Sequence, residues 1–228
     1  MEKLRIIDLI KFLRKEPNPR RTFVNNLMKA ETQIKDPDNN EGGDYWISCT
    51  STLANIFKTG DKNLIQLKCD EIQQKIETVD RPQTKGQYQA NIDMLVKFED
   101  FDFYTIKPQA EITILKKTDD QSILQIRNFP IKVDPHHVFN FSLNEEKEIG
   151  AVWFISIIKG LTRSELAMFT DVIYRYLHQH YSQHYKINPD YCIAVDVDKA
   201  QWLSYKNNMN ENVISKLEDS IDEFKKYL

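Results

Sequence analysis

The stretch AVWFISII, Ala151 to Ile158, constrains this chain more than any other: eight uncharged, mostly bulky residues, closed by Lys159 and Gly160. A strand with one wet face alternates apolar and polar residues, whereas a run apolar on both faces reads as a central strand covered on both sides. Lys159 then either ends that strand where it reaches solvent or marks a site at its end. The residues that follow extend the pattern. Thr162 with Glu165 three positions on is a capping box, and it opens a helix to about Tyr185 with Leu166, Phe169, Ile173, Tyr176 and Leu177 on its buried stripe. Asn188 and Pro189 end the connection, and YCIAVDVD begins another apolar strand. Strand, helix and strand in this order form a right-handed crossover joining a parallel pair.

Upstream, AEITILKK, SILQIRN and PIKVD are short, β-branched and alternating, which predicts strands of an antiparallel ribbon with KKTDDQS as a connecting turn. HVFNFSL and EIGAVWFISII, joined by the polar NEEK, predict a hairpin. The first hundred residues read as helices instead. One spans about 3 to 15, stopped by the prolines of EPNPR, and another spans 21 to 34, followed by the loop KDPDNNEGGD. WISCTSTLANIF, then NLIQLKCDEIQQKIETV with Leu64, Leu67, Ile72 and Ile76 at helical intervals, then about 86 to 99 with Ile92, Leu95, Val96 and Phe98, continue the pattern. A last amphipathic helix at about 210 to 227 carries Val213, Leu217, Ile221 and Phe224. The expectation is an α+β fold with a mainly helical region over 1–104 and an α/β region over 105–228, able to pack together as one domain.

With 228 residues, 41% hydrophobic and 29% charged, the chain has the composition of an ordinary globular protein. No run approaches the roughly 18 apolar residues that span a bilayer, and MEKLRIIDLIKFLRKE is unlike a signal-peptide core, so the expected location is cytoplasmic, with no membrane partner. Cys49, Cys69 and Cys192 are odd in number and widely spaced, which points to reduced, buried thiols. The net charge of -3 gives no global reason to expect nucleic acid. Locally, Lys11, Arg14, Lys15, Arg20 and Arg21 could form a phosphate-contacting arm. The simpler reading is the polar face of an amphipathic helix whose apolar face is Ile6, Leu9, Ile10 and Leu13.

A parallel pair brings both strand carboxyl ends to one edge of the sheet, where open α/β folds bind ligands. Lys159 ends one strand, Asp196 ends the other, and Asp198 would share the side of Asp196 if the strand continued. A lysine beside carboxylates can hold a metal-bound water and a phosphate, or it can be a structural ion pair at a strand end. The order of elements over about residues 125 to 200 resembles the restriction-endonuclease-like, or PD-(D/E)XK, superfamily: VDPHHVF with Asp134, FISIIK with Lys159, then ELAMFTDVIYRYL and CIAVD. The resemblance implies a nuclease-like module acting on DNA or RNA, with Asp134 and Lys159 catalytic and Mg²⁺ or Mn²⁺ held by Asp134 and Asp196. The chain departs from the family at Ile157, which stands where a metal-binding acid is required. Glu165 is the candidate for an acid relocated to the following helix, against its simpler role in the capping box.

Other chemistries have less support. His180 and His184 are four apart, the spacing of helical zinc ligands, but no Glu follows His180; His136 and His137 lie beside Asp134. GxGxxG, GxxxxGK[ST] and GxSxG are all absent. In KFEDFDFY the aromatics alternate with acids that would repel phosphate, so they are expected to pack the helical half onto the sheet. Trp46 is either an exposed anchor or core. The competing class of function is a non-catalytic interaction or scaffold protein, as a homodimer or with a protein partner, for which the fold is only a frame.

Overall fold

The computed structural model describes residues 3–32, 46–116, 122–211 and 215–228. All of KDPDNNEGGD, most of KKTDDQS, and Val213 in the last expected helix lie outside the described residues. The fold is α+β, with helices and two mixed sheets. The larger sheet has strands β2 (Thr113–Leu115), β5 (His137–Leu143), β6 (Glu146–Ile155), β7 (Lys186–Asp196) and β8 (Gln201–Ser204), in that spatial order. The smaller sheet runs β1 (Leu4–Arg5), β4 (Phe129–Lys132) and β3 (Ile123–Ile126).

β6 is central and covered on both faces, as its composition demands. Its side chains alternate between two cores. Ile149, Ala151 and Ile155 face the core built by helix α6 (Arg163–Tyr181), helix α1 (Ile6–Leu13), the smaller sheet and helix α8 (Leu217–Lys225). Val152 and Phe154 face the core of α3 (Ile47–Thr59), α4 (Asn63–Thr78) and α5 (Pro82–Val96). β7 alternates likewise, Cys192 and Ala194 against Ile193 and Val195. Each large side chain buried this way stabilises by about 1.5–3 kcal/mol relative to exposure, so this strand contributes to both cores at once. The parallel crossover is present: β6 and β7 pair from Ala151↔Cys192 to Ile155↔Asp196, joined by α6.

The N-terminal residues belong with the sheet-bearing part. β1 pairs in parallel with β4, and α1 packs in the α6 core, with Ile6, Leu9 and Ile10 buried as the sequence predicts and Phe12 buried beside them. The helical region that covers the opposite face therefore begins at α3. The prolines of EPNPR do not sit in a gap: Pro17 opens helix α2 (Pro17–Thr32), where a missing N–H costs nothing. Within α4 the buried stripe is Ile65, Cys69 and Ile72, and Leu67 faces solvent. In α5 the buried residues are Asn91, Met94 and Leu95, while Val96 is exposed.

The strands differ from expectation in three places. The ribbon consists of β3 and β4 alone, and β2 joins the larger sheet beside β5. α6 ends at Tyr181, and β7 starts at Lys186, running through Asn188 and Pro189 as an irregularity opposite Gly150. A side chain at Gly150 would put its Cβ 2.6 Å from Tyr191 Cβ and from Tyr191 O, so the irregularity needs glycine there. β8 and the short helix α7 (Tyr205–Asn210) follow β7 with no counterpart in the pattern read from sequence, and α8 is correspondingly shorter.

Candidate functional site at the carboxyl ends of the parallel strands

β6 stops at Ile155, four residues short of Lys159. Ser156 to Leu161 form a turn that delivers the chain into α6. Lys159 and Gly160 both take left-handed backbone, φ +71° and +62°. Lys159 thus leaves the sheet and its side chain is exposed, as is that of Ile158, which is 68% accessible. Ile157, in the position of the absent acid, is buried in the α6 core.

Four long-range or local ties hold this turn. The Leu161 N–H donates to Asp196 Oδ2 at 2.6 Å, and Lys199 Nζ donates to Leu161 O at 2.6 Å. Arg14 Nη2 donates to Gly160 O at 2.6 Å. The Thr162 N–H donates to Glu165 Oε2 at 2.7 Å, completing the capping box with Thr162 Oγ1, which accepts from the Glu165 N–H at 3.2 Å. Arg14 also grips both oxygens of Glu165 at 2.7 Å, a bidentate pair. The arginine at the C-cap of α1 therefore joins the helix cap to the turn.

The two carboxylates differ in environment. Asp196 is 1% exposed at the end of β7, and its Oδ1 accepts from the N–H groups of Asp198 (3.1 Å) and Lys199 (3.4 Å). Burial pushes this carboxyl above its ordinary range, against the pull of the Leu161 and Lys199 N–H groups and the Lys199 charge. For Glu165, burial alone would act upward, but the hydrogen bond from Arg14 and the cap hold it below the usual carboxylate range. Both acids are thus engaged by the fold.

The Asp134 side chain is 57% exposed, with Lys132 Nζ 4.0 Å away. It lies just ahead of β5, whose register His137↔Val152 brings that end of the strand toward the carboxyl end of β6. Asp134 and the Lys159 turn therefore share one end of the sheet. Asp198 is beyond the strand, in the turn to β8, and pairs with Lys97 of the α5 C-terminus at 3.5 Å. Among the described residues no three His, Cys, Asp or Glu side chains are grouped as a metal ion would need.

The histidines are used separately. His180 contacts Tyr176 at 5.1 Å between rings, while His184 lies beyond the end of α6 and is exposed, so the two do not share a helix face. His136 Nδ1 accepts from the Phe154 N–H at 3.2 Å, and His137 Nε2 meets Ala54 O at 2.8 Å with its ring stacked on Phe57. His137 thereby pins α3 to β5. Trp46 is half-buried against the α3–α5 core, and the KFEDFDFY aromatics Phe98, Phe101 and Phe103 form one cluster there while Tyr104 is exposed.

The basic residues near the N-terminus are exposed (Lys11, Arg14, Arg21) or half-buried (Lys15, Arg20), and each has a neighbour within the fold. Arg20 donates to Leu13 O and Lys15 O, pairs with Glu223 at 3.1 Å, and lies 4.9 Å over the Phe12 ring. Arg21 stands 6.0 Å over Tyr227, Lys15 5.2 Å over Phe23, and Arg14 serves Glu165 and Gly160. Lys11 is exposed, 3.9 Å from the buried Asp8. Arg20 and Arg21 fasten α2 to α8 and the C-terminus.

Sequence reasoning placed Lys159 and Asp196 at one edge of the sheet and Glu165 in the first turn of the following helix, but missed that Arg14 and Lys199 bind the turn between them. Arg14 and Glu165 are far apart in the chain, and no local pattern connects them. No family model, curated protein or solved structure matches the chain.

Proposed function

We propose that this chain is a non-catalytic interaction module whose frame has the element order of the restriction-endonuclease-like superfamily, with the acid and lysine corner converted to structural use. The carrying observation is the turn at the carboxyl ends of β6 and β7. Asp196 and Glu165 are spent on the backbone of Leu161 and Thr162, and Lys199 and Arg14 on that of Leu161 and Gly160. What they hold rigid is a tip with Ile158 and Lys159 turned to solvent. A preorganised apolar residue loses little freedom on docking, which favours a protein partner or a second copy over a cleavable substrate. Ile157 in the core is a further reason against divalent metal, since Mg²⁺ needs several oxygen ligands. The buried, free thiols of Cys49, Cys69 and Cys192 fit action in the cytoplasm.

The test is an Ile158→Asp substitution, which alters an exposed side chain and leaves both cores intact. Proteins that co-purify with the wild-type chain, or a homodimer seen by light scattering, should be lost with unchanged thermal stability. Identical partners and oligomeric state in both proteins would remove this tip as the docking element. DNA or RNA binding that depends on Mg²⁺ or Mn²⁺ would instead favour the nuclease-like reading, with Asp134 and Lys159 as its working residues.

A further inference from the structure

We draw no further inference here: the strongest candidate, the cleft of about 200 Å³ between α6 and α7 lined by Asp171, Arg175, Tyr205, Asn208, Met209 and Ser215, carries none, because its ionic groups are already paired with each other and with Glu218 and its unpartnered atom, Asn208 Oδ1, is closed to solvent.

Discussion

Gly160→Ala probes the turn at the strand ends through a single methyl group. At φ +62° an L-residue costs about 1–2 kcal/mol. The new Cβ would also stand 2.7 Å from Asp196 Oδ2, 2.7 Å from Lys199 Cε and 2.8 Å from Lys199 Cγ. The lysine stem can swing away only by giving up its bond to Leu161 O. Asp196 cannot retreat cheaply, because its two oxygens are fixed by three backbone N–H groups. Relieving such overpacking adds about 1–3 kcal/mol. The expected loss is about 2–5 kcal/mol in equilibrium urea unfolding, with an unchanged dependence on denaturant. Amide exchange at Leu161 should accelerate as well. A loss below about 0.5 kcal/mol, the level of an ordinary surface substitution, would refute the view that this turn is locked onto Asp196.

Three other outcomes follow from the same packing. Because the folded Asp196 carboxyl is raised, its contribution is fully present below the unfolded carboxylate value and is lost as pH rises through the folded one. Wild type should therefore lose stability relative to Asp196→Asn as pH rises above the ordinary carboxylate range, and an unchanged difference would contradict the burial argument. Arg20→Ala removes a pair with Glu223, two carbonyl contacts and the stacking on Phe12, and should cost about 1–3 kcal/mol of stability; full stability with weakened, salt-sensitive DNA binding would restore the phosphate-contacting arm. The thiols of Cys49, pushed up by burial to about 12, and of Cys192, pushed higher still, should react with a disulfide reagent only after unfolding. Stoichiometric labelling of the native protein would overturn their placement.

What was legible in the sequence is what short-range chemistry dictates. The two-sided run of β6 fixed its central place, and the Thr162–Glu165 box fixed the start of α6, because both signals lie within one element. The crossover to β7 followed from element order. The misreadings arose where the partner is distant. β2 resembled its neighbours β3 and β4 in composition, yet it pairs with β5, a choice made by tertiary packing. Asn188 and Pro189 looked like the end of a loop, but Gly150 opposite them lets β7 run through as an irregularity. In α4 the expected Leu64, Ile72 and Ile76 do pack in the helical core, but Leu67 is exposed and Ile65 and Cys69 are buried in its place, a choice of face that only contact with α3 and α5 makes. Lys159 was taken as a strand end, although the left-handed backbone at Lys159 and Gly160 is set by ties to Arg14, Asp196 and Lys199 that no local window contains.

The central claim is that Asp196, Glu165 and Lys199 at the strand ends serve the fold rather than a reaction. It is tested most directly by incubating the purified chain with end-labelled single- and double-stranded DNA and RNA in Mg²⁺ or Mn²⁺, beside Lys159→Ala and Asp134→Asn. The account expects no cleavage above the variants with either metal. Metal-dependent cleavage by the wild-type chain that both substitutions abolish, without loss of stability, would contradict it.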